Sequence, residues 1–251
     1  MISTEPILVI GGTRGTGLLI ARLLEARRSA VRVLARDSAR ARSVLSPAVE
    51  VVAGDITKPE TLRAAIDGVS HIIFTAGCRS GHPASERRVK ATEFAGVVNT
   101  LSEAERVGFA GRFMYLTSSG VTTRSLFAAC LNLYKGNTLW WRRRAEEAIR
   151  ERNIDYTIIR TGMLLNSLDR RRIIQLTQTA LPLSARHRIG RADVAEVFVA
   201  GLEETHASRA TFEIVWTRGA ALTPWTTMLK DLKSDAELAT ERAYYSRESR
   251  S

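Results

Sequence analysis

The sequence predicts an α/β fold in which helices cover both faces of a doubly wound parallel sheet. Short apolar runs alternate with helix-period patterns almost to the end of the chain, which is typical of successive strand-helix-strand units. The first apolar run also passes through a glycine-rich turn directly into a helical pattern. A chain of 251 residues is long enough to bury one such sheet between two helical layers, so a single domain is expected over residues 1–251.

The apolar runs predict seven strands, and the periodic segments between them predict seven helices. The predicted strands lie near 6–11, 31–35, 49–53, 70–75, 112–117, 155–160 and 211–216. The predicted helices lie near 15–27, 38–45, 59–67, 86–107, 137–152, 191–204 and 223–233. The polar tail 234–251 is expected to be partly helical or frayed. Right-handed crossovers place the carboxyl ends of the strands at one edge, where ligands of such sheets bind.

The turn after the first strand has the pattern of a dinucleotide site. In Gly-Gly-Thr-Arg-Gly-Thr-Gly (11–17), glycines permit the tight turn, bring backbone N–H groups to the phosphates and let the helix pack on the sheet. The helix dipole adds a favourable field for an anion. The residues predicted to hold the cofactor here are Gly11, Thr13, Arg14, Gly15, Thr16 and Gly17.

The residues after the second strand predict which dinucleotide binds. An acidic residue there would bind an unphosphorylated ribose, but the chain has Arg36. Together with Arg14, it could clamp a 2′-phosphate through bidentate hydrogen bonds, so NADP(H) is the predicted cofactor. Asp37 is better interpreted as a cap of the next helix.

Two further strand ends carry residues suited to a nucleotide. Asp55, before Ile56, is placed to accept a hydrogen bond from an adenine amino group, although it could equally cap the helix that begins near Pro59. Thr75, Ala76 and Gly77 end the fourth strand, where small residues let the backbone approach a ribose.

Together these segments resemble the short-chain dehydrogenase/reductase superfamily, particularly its atypical NmrA-like, NAD(P)H-binding branch. The resemblance spans nearly the whole chain and rests on these motifs: Gly-Gly-Thr-Arg-Gly-Thr-Gly (11–17), Val-Leu-Ala-Arg-Asp (33–37), Gly-Asp-Ile (54–56), Thr-Ser-Ser-Gly (117–120), Tyr-Thr-Ile-Ile-Arg-Thr-Gly (156–162) and Arg-Ala-Asp-Val-Ala (191–195). It implies a Rossmann-type fold with a small substrate region toward the C-terminus, mainly 120–140 and 163–190. It does not specify a reaction.

The resemblance implies a Tyr-x-x-x-Lys pair for carbonyl reduction, and this pair is missing. In the family's extended branches a glutamate follows the lysine by four positions; if Glu146 is that glutamate, Arg142 takes the lysine position and Thr138 the tyrosine position. Arginine keeps a positive charge over the cofactor, but threonine cannot act as an acid near neutral pH. Either Tyr134 delivers the proton from a shifted position, or catalysis needs no tyrosine.

The second alternative suits hydride transfer to a flavin, a quinone or another conjugated ring, where proximity supplies most of the acceleration. Ser118 and Ser119 would then orient the substrate, and Thr161, Gly162 and Met163 would contact the nicotinamide amide. The apolar residues of 120–140 favour an aromatic substrate. Arginines 170–172 could bind an anionic group, although such runs are more often solvated.

The composition limits the other possibilities. The net charge of +11 comes mainly from scattered arginines without a recognised nucleic-acid module, so no nucleic-acid partner is expected. No membrane span, signal peptide or metal-ligand spacing is found, and the two cysteines are expected to be thiols in or near the core of a cytoplasmic protein. A non-catalytic NADP(H) sensor or assembly factor is the alternative function, and the family permits a homodimer through 86–107 and 137–152.

Overall fold

The computed structural model describes residues 5–78, 84–123, 125–167, 172–217 and 224–248, with side chains to residue 243. Eight strands form one sheet in the order β3-β2-β1-β4-β5-β6-β10-β8, and β7 and β9 form a separate parallel pair. The strands are β1 (Ile7–Ile10), β2 (Val31–Ala35), β3 (Glu50–Ala53), β4 (His71–Phe74), β5 (Arg112–Ser118), β6 (Asp155–Thr161), β7 (Met163–Leu165), β8 (Ile173–Thr177), β9 (Arg188–Gly190) and β10 (Ala210–Thr217).

Helices connect the strands along the chain. They are α1 (Gly15–Ala26), α2 (Ser38–Val44), α3 (Arg63–Ile66), α4 (Glu86–Lys90), α5 (Gly96–Arg106), α6 (Leu126–Tyr134), α7 (Thr138–Arg150), α8 (Arg191–Glu203), α9 (Trp225–Lys230) and α10 (Asp235–Glu248). The Rossmann-type α/β fold is therefore confirmed, and each of the seven predicted strands is present within a few residues of its predicted bounds.

The core lies on both faces of the sheet because side chains alternate along each strand. On β1, Leu8 and Ile10 face the cluster that holds helices α5 and α7, whereas Val9 faces the cluster that holds α1 and α8. Since both faces are covered, the central strands are apolar throughout. Their carboxyl ends meet at one edge, and the order reverses between β1 and β4, where a doubly wound sheet forms its ligand crevice.

The region 163–190 differs most from the prediction. It contains three short strands that were not predicted, and β8 runs antiparallel to β10 at the edge of an otherwise parallel sheet. An antiparallel edge strand is common in doubly wound sheets. Helix α6 was also missed: its uniformly apolar sequence lacks a polar face, so it has no amphipathic period to detect.

Two predicted helices have a more complex form. The segment 59–67 consists of a single 3₁₀ turn (Pro59–Thr61) followed by α3. The predicted helix 86–107 is continuous but widens into a π turn (Ala91–Ala95) between α4 and α5. Such π turns displace one side chain inward and often occur at functional sites. Here the displaced region contains the buried Glu93.

The C-terminal segment is helical over α10 and is tied to the sheet. At the start of α10, the Asp235 carboxylate accepts hydrogen bonds from the Thr211 backbone, from Tyr156 and from Arg150. Within the part of the chain that the structure describes, no helix combines the length and apolarity required to cross a bilayer.

Candidate active site

The glycine turn packs directly on the end of β4. A Cβ at Gly17 would lie 2.4 Å from both the Gly11 carbonyl oxygen and the Thr75 hydroxyl, and a Cβ at Gly11 would lie 2.8 Å from the Ala76 nitrogen. Gly11 also has φ +90°, a conformation that favours glycine. The close approach of two backbones leaves the N-terminus of α1 facing the sheet edge, as a pyrophosphate site requires.

Arg191 extends from the start of α8 to the same turn. Its Nε donates to Asn166 Oδ1 at 2.9 Å, its Nη1 donates to the Thr16 hydroxyl at 3.3 Å, and Nη1 lies 3.6 Å from the position of a Cβ on Gly15. Burial lowers the pKa of this guanidinium, and among the described residues no carboxylate pairs with it. A partly buried cation without a counter-ion is expected to bind an anion.

The residues predicted to select the cofactor lie at neighbouring strand ends. Arg14 precedes α1 and Arg36 follows β2, which pairs with β1, and both are exposed. The prediction for Asp37 is confirmed, because its carboxylate accepts from the Arg40 backbone and caps α2. Asp55 Oδ1 accepts from the Thr57 backbone and hydroxyl, so it stabilises a local turn. Its adenine contact stays a prediction.

Ile56 is buried beneath α5. Its side chain lies against Gly96, where a Cβ would be 2.6 Å from Ile56 Cδ1, and its carbonyl accepts a hydrogen bond from Asn99. The contact orders the backbone after β3, next to the predicted adenosine end of the site.

Arg142 lies at the same sheet edge. Its Nη2 is 3.0 Å from Glu93 Oε2 and 3.4 Å from the position of a Cβ on Gly77. The other Glu93 oxygen accepts from the Cys78 backbone at 2.9 Å. The π turn thus brings a buried carboxylate between α7 and the end of β4, and this carboxylate holds the Arg142 guanidinium beside the predicted ribose position.

The orientation of α7 is set by Glu146, one helical turn after Arg142. The Glu146 carboxylate accepts two hydrogen bonds from Arg160 on β6, at 3.1 and 2.6 Å, and both side chains are buried. Residues four apart share one face of a helix. The pair therefore directs Arg142 toward the sheet as well.

The two serines at the end of β5 differ in accessibility. Ser118 is half-buried and its hydroxyl donates to the Ser119 carbonyl at 3.1 Å. The Ser119 hydroxyl is completely buried, because the loop before β9 covers the strand end: Gly120 donates to the Leu181 carbonyl and packs on Leu183. Ser118 is therefore the more accessible of the two predicted substrate contacts.

The segment after β6 reaches the edge as well. The Thr161 hydroxyl is buried and donates to the Thr117 carbonyl at 3.3 Å, which joins the ends of β5 and β6. A Cβ on Gly162 would be 2.3 Å from the His187 carbonyl oxygen. Met163 is 37% exposed, so its side chain is available to a ligand.

Glu213 on β10 is a buried carboxyl group in an unusual environment. Within the described residues neither of its oxygens has a hydrogen-bond partner of normal geometry, and Arg160 Nη1 lies 3.6 Å from Oε1. Burial raises the pKa of Glu213, and the nearby Ser119 hydroxyl and Leu181 backbone offset this only in part. Three carboxyl groups here (Glu146, Glu213 and Asp235) face two guanidinium groups (Arg150 and Arg160). The nearby Glu146 carboxylate also raises the pKa of Glu213.

Tyr134 lies on a different helix from Arg142. It is 51% exposed at the end of α6, where it lines an apolar groove of about 660 Å³ with Phe127, Cys130, Leu131 and Leu133. All five residues belong to α6, and the assignment of this segment to the substrate stays a prediction. The expectation for Cys130 is wrong, since this thiol is exposed; Cys78 is partly buried.

Trp140 and Trp141 contact each other edge to face, with ring centroids 4.3 Å apart, but they differ in exposure. Trp141 is buried and donates to Glu86 at 3.1 Å, whereas Trp140 is 49% exposed.

Among the predicted anion contacts, Arg172 stacks on the Trp216 ring at 4.8 Å. Arg170 and Arg171 lie outside the described residues.

The structure thus brings most predicted residues to one edge, and it adds three that sequence reasoning missed as site residues. Arg191 belongs to a motif that carried the family resemblance, so a signal for it existed. Glu93 sits in a helical pattern that did not distinguish it from a solvated glutamate. Glu213 interrupts the apolar run of β10, and a charged residue inside a buried strand was the available signal.

Comparison with known proteins gives a family match. The model of a family described as NAD(P)H-binding matches residues 11–205. This range begins in the glycine turn and ends just after α8, so it includes both the turn and Arg191.

Individual relatives differ in what they do. The chain is 26% identical to sanguinarine reductase from Eschscholzia californica over 83% of its own length and 88% of that protein. It is 23% identical to the photosystem II assembly factor Ycf39 from Synechocystis sp. over 84% of its length and 63% of that protein. Among solved structures, an anaerobilin reductase from Escherichia coli O157:H7 has a TM-score of 0.71 at 20% identity, covering 86% of this chain and 99% of that one. This last likeness shows the shared fold.

The environment of Glu213 predicts a specific pH dependence of stability. A carboxyl group whose pKa is raised by folding contributes stability below its ordinary pKa, and this contribution is lost as the pH rises toward the folded pKa. Wild type and Glu213→Gln should therefore have similar free energies of unfolding near pH 5. At pH 8 the variant should have gained stability relative to wild type, as measured by urea denaturation.

Glu151→Gln is the matched control, because Glu151 is exposed after α7. This control should follow the wild-type pH profile. A Glu213→Gln profile that stays parallel to wild type from pH 5 to 8 would show that Glu213 is ionised in the folded protein.

Proposed function

Since this chain belongs to the NAD(P)H-binding family, we propose that it is an NADPH-dependent reductase of an aromatic, quinone-like or flavin-like small molecule. The observation that carries the proposal is the position of Arg142, a fixed cation beside Gly77 where the family's lysine would contact the ribose. The likeness to sanguinarine reductase, which extends over most of both chains, supports reduction of a conjugated ring.

The residues present fit a dinucleotide. The cradle formed by Gly11 and Gly17 would be filled by a Cβ at either position, and Arg191 supplies an uncompensated positive charge at its mouth. In the proposed arrangement the turn and Arg191 hold the pyrophosphate, and Arg14 and Arg36 bind the 2′-phosphate. Arg142 and Thr75 to Gly77 hold the nicotinamide half. When bound, the cofactor supplies a hydride.

The protein's own contribution is orientation rather than acid catalysis. Thr138, in the tyrosine position, has no acidic proton near neutral pH. Tyr115 is fully buried, and burial raises its pKa. Ser118 and Met163 are placed to position a flat substrate over the nicotinamide, with the Ser118 hydroxyl rotating away from the Ser119 carbonyl to donate a hydrogen bond to the substrate's oxygen or nitrogen. A conjugated acceptor takes its proton from water, so no tyrosine is required. Proton delivery by Tyr134 stays the alternative within this mechanism.

A second function is favoured by the missing Tyr-x-x-x-Lys pair together with the likeness to Ycf39. In that case the chain binds NADP(H) as a sensor or assembly factor and catalyses no reaction. The two functions share the cofactor site and differ in whether NADPH is oxidised.

A measurement of NADPH oxidation distinguishes the two functions. With the purified full chain, NADPH absorbance at 340 nm should fall when a naphthoquinone, a free flavin or sanguinarine is added. Tyr134→Phe should keep the rate within about threefold. A loss of about 100-fold, equivalent to ~2.7 kcal/mol of barrier, would instead assign proton delivery to Tyr134. NADPH binding by calorimetry without oxidation by any acceptor would reject the reductase in favour of the sensor.

Cofactor selectivity follows from Arg36. Arg36→Ala should weaken NADPH binding at least tenfold and leave NADH binding nearly unchanged, because only the former carries the 2′-phosphate. Arg40→Ala, at an exposed arginine four residues later, is the control and should alter neither affinity. Dissociation constants from calorimetry test this. Equal weakening of both cofactors would place Arg36 away from the 2′-phosphate.

Arg191 should behave differently, because a pyrophosphate is common to both cofactors. Arg191→Gln should raise the dissociation constants of NADPH and NADH by about the same factor, tenfold or more, as expected for the loss of a charge-assisted hydrogen bond. Arg186→Gln, an exposed arginine in the preceding loop, is the control. An unchanged affinity for both cofactors in Arg191→Gln would refute the pyrophosphate contact.

A further inference from the structure

Helix α6 presents an uncovered apolar surface, here called the α6 face and made up of Leu126, Phe127, Cys130, Leu133 and Tyr134. Leu126 is 88% exposed and Leu133 is 86% exposed, and Phe127 and Tyr134 are about half exposed. Residues 126–134 include no charged side chain. Neighbouring positions in this set are one or three residues apart in the sequence. They therefore lie together on one side of the helix.

The opposite side of α6 packs on the protein, so the α6 face points outward. Ala128 packs in a small cluster with Val121, Leu139 and Leu183, and Asn132 accepts a hydrogen bond from the Leu139 backbone. The helix thus attaches to α7 through a small residue and a polar residue, and directs its large apolar side chains outward. Exposed apolar surfaces of this kind mark contact sites.

The charge around the α6 face indicates what contacts it. Between Ser125 and Glu146 the sequence contains no acidic residue, whereas it contains Lys135 and the arginines 142–144, of which Arg142 is paired with Glu93. Lys135 follows the helix directly, and Arg143 and Arg144 on α7 share a single carboxylate, that of Glu147. Helix α4, which packs on α7, adds the exposed Arg87 and Arg88. The surroundings of the face are therefore positively charged.

We propose that the α6 face docks on an anionic lipid bilayer surface. Insertion of Leu126, Phe127 and Leu133 among the acyl chains removes them from water, while the surrounding lysine and arginines contact anionic headgroups. Tyr134 and Trp140, each about half exposed, have an apolar ring and a polar group, which suits the headgroup region. An apolar surface and a basic surround supply the two signals that stable peripheral binding requires.

A second copy of the chain fits this surface less well. A nine-residue helix is about 14 Å long and ~10 Å wide, so its face is far smaller than the ~800 Å² per partner of a stable interface. Two-fold packing of α6 on itself would also bring two basic surroundings together. An anionic lipid surface is larger than the α6 face, and its negative charge is opposite to that of the surrounding basic residues.

Vesicle co-sedimentation of the full chain tests the proposal without cofactor or substrate, so its failure is separate from failure of the reductase. The chain should bind vesicles of phosphatidylcholine with about 30% phosphatidylglycerol at least tenfold more tightly than pure phosphatidylcholine vesicles, and 0.5 M salt should weaken this binding. Leu126→Ser with Leu133→Ser should reduce binding to the anionic vesicles at least tenfold. Arg143→Gln with Arg144→Gln should also reduce it.

The control is Arg27→Gln with Arg40→Gln, which removes two exposed charges from the ends of α1 and α2, helices that pack on the opposite face of the sheet. It should bind like wild type. Circular dichroism and thermal unfolding verify that each variant is folded. The proposal is overturned if no vesicle binds, if the control loses as much binding as the Leu126/Leu133 variant, or if that variant only converts a dimer into a monomer in light scattering.

Discussion

The buried ion pair between Glu146 and Arg160 is the interaction on which the arrangement of the site depends. It joins α7 to β6 through two hydrogen bonds between buried side chains. A buried pair of this kind contributes little net stability compared with apolar packing, because desolvation of both charges opposes their attraction. Its effect is directional: it sets the rotation of α7 about its axis. Arg142, one turn earlier on the same face, is thereby held at the carboxyl end of β4.

The arginines of the site differ in whether a carboxylate of the protein neutralises their charge. Arg142 and Arg160 each have a buried glutamate, so their charges are compensated within the protein and their positions are fixed. Among the residues that the structure describes, Arg191 has the neutral partners Asn166 and Thr16 and no carboxylate. Since a partly buried cation is costly without a counter-ion, this difference separates the arginines that build the site from one that is suited to an anionic ligand. Sequence type alone does not make that distinction, because all three residues are arginines.

Apolar surface is distributed in a similarly uneven way. The two large clusters on the faces of the sheet bury their side chains almost completely, whereas α6 exposes leucines and aromatic rings. The same apolar residue types therefore serve the core in one part of the chain and a contact surface in another. The apolar groove beside Tyr134 and the α6 face share Phe127, Cys130, Leu133 and Tyr134, so they form one uncovered apolar region.

The sequence by itself determined the doubly wound sheet and the glycine turn, because apolar runs, helical periods and glycine spacing are local properties. It also predicted that Arg142 takes the position of the family's lysine, if Glu146 is the family's glutamate. Only the tertiary structure decided the partners of buried charges: Glu93 with Arg142, Glu146 with Arg160, and Glu213 without a hydrogen bond of normal geometry among the described residues. It also decided that Ser119 is enclosed and that the α6 face is open. These features depend on contacts between residues far apart in the chain. Neither composition nor spacing specifies whether a given polar or apolar side chain is buried or exposed to water.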